Sequence, residues 1–161
     1  MDIQTGFKID DPDLFLPYDS GLDDVVLLLD GHDPTRVTEG YLTLPSTALD
    51  GLKMQVGLHF RPDNSSGLLK VFELFFGKEE LQHHFGRISY GDLQESYDLF
   101  QAHLEKTLGE PHKTEQGEYR NSMPTNYWNF GEVEVIHKVF ERFGPEEHVR
   151  FRKGHEPDFY F

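Results

Sequence analysis

Between Asp92 and Pro111 apolar residues return at intervals of three and four: Leu93, Tyr97, Phe100, Leu104 and Leu108. That spacing lays them along one stripe of an α-helix. Asp92 stands where a carboxylate accepts from the first free backbone N–H groups, with Glu95 at the reciprocal capping-box position. Gly109 tolerates positive φ and Pro111 cannot extend a helix, so the stop is as legible as the start. A shorter segment carries the same marks: Ser20 and Asp23 as caps, Leu22, Val25, Val26 and Leu29 as the stripe, Gly31 and Pro34 as terminators.

Elsewhere the period is two. Met54, Val56, Leu58 and Phe60 alternate with Gln55, Gly57 and His59, the pattern of a strand with one face buried. Strands are predicted over 37–44, 54–60 and 68–76. The Asn-, Ser- and Gly-rich turn at 62–67 makes the last two an antiparallel hairpin. After the long helix come runs at 127–130, 133–143 and 148–153, the last two joined by a turn at 144–147. Short extended pieces at 6–9 and 85–89 precede the two helices, and 45–52 and 111–126 carry loop composition. The succession β-α-β-β-β thus occurs twice, in halves 1–80 and 81–161 of one domain. The expected class is α+β, an antiparallel sheet with helices packed on one face.

The chain has 161 residues, no cysteine, and 14 Phe, 7 Tyr and one Trp. Each buried ring removes roughly 150–250 Å² from water, so aromatic burial is expected to dominate stability. Without cysteine there is no disulfide, no thiolate ligand and no thiol nucleophile, which suits a reducing compartment. Neither a basic region followed by an apolar run nor a stretch long enough to span a bilayer is present, so the expectation is a cytoplasmic protein. The formal charge is −14, from 29 acidic and 15 basic residues. Such a field repels nucleic acid and steers basic proteins inward.

Signatures of chemistry are sparse. The nine histidines (His32, His59, His83, His84, His103, His112, His137, His148, His155) include no pair at helical ligand spacing, and adjacent His83 and His84 diverge on a helix or strand. No serine stands in G-x-S-x-G, and no Gly-rich phosphate loop occurs. No metal, cofactor or catalytic group is therefore assigned. On the predicted strands His59, Glu73, His137 and Glu141 alternate with apolar neighbours. They line a polar cup on the sheet or stand as solvated outward positions.

Tyr127, Trp128 and Phe130 concentrate rings just after the second long loop, with Glu110, Glu115, Glu118, Glu132 and Glu134 around them. Large amphipathic rings inside an acidic rim suit a basic partner, although such a run also suits a core strand. The stretch from Ser96 to Phe100, the Leu108-Gly109-Glu110-Pro111 stop and Tyr127 to Gly131 resemble parts of bacterial β-lactamase-inhibitor-like α+β binding domains. The acidic, cysteine-free character resembles immunity proteins paired with polymorphic toxins. That resemblance implies a protein-binding module that neutralises a basic toxin domain. Two alternatives stand beside it: a small-ligand binder or enzyme using the polar cup, and a structural domain that self-associates through its aromatic tail at 159–161.

Overall fold

The computed structural model describes residues 2–64, 66–117, 123–141 and 145–154, and of 140, 141 and 145 only the backbone. Its elements run β1 (Gly6–Ile9), β2 (Leu14–Pro17), α1 (Leu22–Leu28), β3 (Thr35–Thr38), β4 (Tyr41–Ala48), β5 (Leu52–Arg61), β6 (Leu68–Phe75), α2 (Lys78–Phe85) and α3 (Leu93–Leu108). β7 (Lys113–Glu115), β8 (Thr125–Phe130), β9 (Val133–Glu141) and β10 (Pro145–Lys153) complete them. β1 and β2 form a hairpin of their own, and the other strands make one sheet in the order β3-β4-β5-β6-β10-β9-β8-β7. Every neighbouring pair is antiparallel. Two four-strand meanders therefore meet where β6 pairs with β10, Leu74 opposite Val149 and Phe72 opposite Phe151. The fold is α+β, as the two periodicities predict.

Alternation along each strand decides which side is buried. Leu42 and Leu44 on β4, the even positions 52–60 on β5, Phe72 and Leu74 on β6, Val149 and Phe151 on β10 and Trp128 on β8 all enter one buried cluster. The hairpin and helices close over it with Phe7, Leu16, Leu22, Val25, Leu81, Phe100 and Leu104. Ring contacts tie the layers together. Phe7 stacks on Phe72 at 5.2 Å and meets Phe151 edge-on at 5.1 Å, and Phe76 stacks on Phe100 at 4.3 Å.

α3 begins and ends where predicted, with the Asp92 carboxylate accepting from the Gln94 N–H at 2.9 Å and Gly109 at φ +84°. Glu95 does not close a capping box; Arg87 donates to it instead at 2.9 Å. α1 is capped by Gly21 without a side-chain bond, because the Ser20 hydroxyl donates to the Pro17 carbonyl at 2.7 Å. Only three of its four predicted stripe residues are buried, Val26 being 44% exposed.

Other expectations are corrected. The piece at 85–89 is no strand: Phe85 ends α2 and Gly86, at φ +70°, stops it. α2 escaped notice because its buried positions are Glu80 and Leu81, too few for an apolar stripe. The boundary between halves 1–80 and 81–161 falls inside it. Each meander has four strands rather than three: 37–44 divides between β3 and β4, which runs on through the supposed loop to Ala48, and β7 forms inside the supposed loop at 111–126. The chain reverses at Leu49, Asp50 and Gly51, all at positive φ. The aromatic tail at 159–161 lies outside the described residues.

Tyr18 packs edge-on against Phe72, ring centres 5.1 Å apart, and its hydroxyl has no hydrogen-bond partner among the described residues. Burial pushes this phenol well above its usual value of 10.0. An unmet buried hydroxyl costs about 1–3 kcal/mol, so Tyr18→Phe is expected to raise stability at neutral pH by about 1 kcal/mol in urea unfolding. Because the folded value is raised, the neutral phenol's contribution is complete below pH 10 and fades as pH rises through the folded value. The Phe variant should lack that alkaline loss. A lowered urea midpoint would show that the hydroxyl has a partner after all.

Candidate functional site

Helices and hairpin lie on one side; on the other side no helix or strand of the described residues packs over the sheet, and its side chains lie in rows across the strands. One row runs Tyr41, His59, Val71, Arg152, Glu134, Asn129. The next runs Thr43, Gly57, Glu73, Arg150, Ile136, Tyr127, Lys113. Val71 and Ile136 are buried yet stand outside the main core cluster. In the rows Val71 lies between His59 and Arg152 and Ile136 between Arg150 and Tyr127, side chains that contribute to covering them. Long side chains with apolar stems are suited to this cover.

At the centre Glu73 Oε2 lies 2.8 Å from His59 Nε2 and accepts from Arg150 Nη2 at 3.3 Å. The Tyr41 ring stacks on His59 at 4.2 Å, the planes 8° apart. Gly57 makes this stack fit, since a Cβ there would stand 2.8 Å from Tyr41 Cε2. Burial alone would raise the Glu73 carboxyl, but the His59 hydrogen bond and the charges of His59, Arg150 and His148 outweigh it and hold the group below 4.5. His148 is drawn down from 6.5 by burial and by Arg150. Tyr41 is pushed up to about 12 by burial and by the Glu73 charge.

A carboxyl with a depressed folded value contributes stability above its unfolded value and loses it as pH falls through the folded one. Glu73→Gln is expected to cost about 1.5–3 kcal/mol at pH 7, the worth of hydrogen bonds to a charged group, and to flatten the loss of stability below pH 4.5. Urea midpoints from pH 7 to pH 3 check this. An unchanged acid limb would show that Glu73 does not carry it.

Toward one end of the face Arg152 donates to Glu134 at 2.8 Å, and beyond it Lys153 reaches Asp19 at 2.5 Å. Lys70 also pairs with Asp19, and the hydrogen bonds of the two lysines hold that carboxyl below its usual value. On the far strands Lys113 lies 5.4 Å above the Tyr127 ring, whose hydroxyl donates to Glu115 at 3.1 Å. By register and alternation the face carries Lys53, Arg61, Lys113, Lys138, Arg150 and Arg152 against Glu73, Glu115, Glu134 and Glu146. Among the described residues it therefore holds six basic side chains and four acidic ones. The negative excess belongs to the rest of the molecule.

This placement divides the predicted aromatic patch. Tyr127, Glu115 and Glu134 are on the open face. Trp128 and Phe130 point the other way, because successive strand residues face opposite sides. Trp128 is 0% exposed and donates from Nε1 to the Gly109 carbonyl at 2.9 Å, so it is a core residue and no anchor for a partner. Phe130 packs against the same core. Glu110 and Glu132 are exposed outside the strands, and Glu118 lies outside the described residues. Among the described residues no acidic rim surrounds a cluster of exposed rings.

The polar cup is divided too. His59 and Glu73 meet on the open face, whereas His137 is buried on the opposite face under α3, and the Glu141 side chain is outside the described residues. Arg150 and Arg152 went unnoticed in the sequence, although their alternation with Val149 and Phe151 marks them as outward positions of a strand. Two cavities lined by described residues, about 240 and 400 Å³, open at the sheet's margins, and neither is lined by His59, Glu73 or Arg150. Among the described residues no three His, Asp or Glu side chains converge as metal ligands, and no helix is long and apolar enough to cross a membrane.

No protein family model and no curated protein matches this chain. Among solved structures the chain is similar to a DUF4309 family protein, YjgB, from Bacillus subtilis subsp. subtilis str. 168. The identity is 14% and the TM-score 0.42, over 83% of this chain and 78% of that one.

Proposed function

We propose that this protein is a binding module for another protein and that the partner sits on the open face of the sheet. The observation that carries the reading is this face, over which no helix or strand of the described residues packs and on which Tyr41, His59, Glu73, Arg150, Arg152 and Tyr127 stand in ordered rows. Eight strands at ~4.8 Å span roughly 34 Å, which with some 20 Å along the strands approaches the ~800 Å² that one partner contributes to a standard interface. Tyrosine and arginine are the side chains most often found to dominate such contacts. Because rings and ion pairs fix their rotamers beforehand, little side-chain entropy remains to be lost on docking.

The partner in this proposal is basic. The field of a −14 molecule draws it in, while the contact itself, on a face with six basic and four acidic side chains among the described residues, discriminates by shape. Neutralisation of a basic toxin is the task we assign to such a module. The test compares capture from the native host by the wild-type protein, by a Tyr41→Ala/Tyr127→Ala variant of the face and by a Leu27→Ser variant of the exposed α1 surface. The expected result is a basic protein retained by wild type and Leu27→Ser and lost with the face variant, its association rate falling steeply with salt. Retention by the face variant, or a partner without excess positive charge, overturns the proposal.

A further inference from the structure

The 240 Å³ cavity lies where β4 continues past the reach of β3, enclosed by the turn after β1, the ends of β4 and β5, and α2. Pro12, Pro45 and Met54 give it apolar walls, and Asp11, Glu79 and Glu80 give it carboxylates. Asp11 is held in place through its backbone, its N–H donating to the Thr47 carbonyl at 3.2 Å and its carbonyl accepting from the Thr47 N–H at 2.8 Å.

Glu80 is the telling residue. It is 6% exposed, and the Gly77 N–H donates to its Oε1 at 3.2 Å. Among the described residues its other oxygen has no donor and the carboxylate has no cationic partner. Lys53, on the rim, forms no ion pair among the described residues. That second oxygen is not among the buried polar atoms without a partner, so it is open to the cleft and free to meet a cation there. A bare metal ion does not suit the site, since no three ligand groups converge there among the described residues. Methylene-lined walls leading to carboxylates suit instead an ammonium or guanidinium on an alkyl stem, whose stem stays in apolar contact while its head is paired.

We infer that this cleft receives a lysine or arginine side chain of the bound protein. Pro45, Thr47 and Lys53 belong to the open face by register, so a partner seated there has the cleft at the edge of its footprint. The inference rests on the proposed docking face only for the source of the side chain; the cleft's preference for an alkyl cation stands on its own geometry. It names a pocket in which a single basic residue makes a buried charge-assisted contact, the arrangement that concentrates binding energy at interfaces.

The test needs no partner. Titration of the ¹⁵N-labelled protein with N-acetyl-arginine amide and N-acetyl-lysine amide should give saturable shifts at the amides of Ser46, Thr47, Met54 and Glu80. The uncharged isostere N-acetyl-norleucine amide should give none. Glu80→Gln keeps an acceptor for the Gly77 N–H and should weaken binding about tenfold, the worth of one charge-assisted bond. Lys53→Ala removes a like charge from the rim and should tighten it. Equal shifts from norleucine amide, or unchanged affinity in both variants, overturn the inference. Spermidine binding at least about tenfold tighter than either amide would assign the cleft to a free polyamine and overturn the protein side chain as its occupant. Loss of partner capture with these titrations intact would remove the docking face and leave the cleft standing.

Discussion

Trp128→Ala is expected to lower the free energy of unfolding by about 3–5 kcal/mol, the usual cost of deleting a buried large aromatic side chain and leaving a cavity. The indole is fully enclosed between β8 and the end of α3, and its N–H is the donor to the carbonyl of Gly109, the residue that ends that helix. Trp128→Phe keeps most of the apolar area but leaves that carbonyl without this donor, so it should cost about 1–3 kcal/mol. Urea unfolding followed by far-UV circular dichroism is the right measurement, because the chain's one tryptophan is the residue removed. The pair of variants separates the two readings of this residue that its sequence context leaves open. If alanine cost less than about 1 kcal/mol and instead abolished partner capture, Trp128 would be a contact residue and the burial described above would be mistaken.

What was legible in the sequence follows from how far each element's determinants extend along the chain. α3 carries its cap at Asp92, its stripe and its terminator at Gly109 within twenty residues, so local physics suffices. α2 has Lys78, Glu79, Gln82, His83 and His84 around a single buried leucine, so no apolar period announces it. The pairing of β6 with β10 joins the ends of the two meanders, and no window of residues contains both strands. The meeting of His59 with Glu73 depends on the β5–β6 register, including the irregularity beside Lys70, which periodicity alone does not fix. By contrast the division of Tyr127 from Trp128 was available beforehand. A strand over 127–130 requires neighbouring rings to face opposite ways, and treating the run as one patch set that rule aside. The same rule applied to His148, Arg150 and Arg152 would have revealed the basic rows of the open face.

The second large effect is expected beneath α3, where a chain of hydrogen bonds assigns its own protons. Burial and nearby carboxylates push the Tyr97 hydroxyl up to about 12, so it remains a donor, to the Pro124 carbonyl at 2.6 Å. It must then accept from Asn126, whose Nδ2 donates to it at 2.7 Å and to Gln101 Oε1 at 3.1 Å, with Asn126 Oδ1 accepting from the Thr114 hydroxyl at 2.8 Å. Gln101 therefore turns an oxygen toward His137 Nδ1, 2.7 Å away, and that nitrogen is a donor. Nε2 faces Glu147 Oε2 at 2.6 Å, and the Ser96 hydroxyl donates to the other carboxylate oxygen. His137 is thus hydrogen-bonded through both ring nitrogens, and the pair is enclosed, at 0% and 6% side-chain exposure. Removing one member leaves the other's hydrogen-bonding group buried without its partner, and breaking a buried pair in this way costs about 3–5 kcal/mol. His137→Leu and Glu147→Met should each show that loss in urea unfolding. The double variant, with apolar volume on both sides, should recover much of it, giving a coupling of about 2–3 kcal/mol. Additive losses would mean that the two side chains stabilise the α3 interface independently, and the proton assignment would have no energetic consequence.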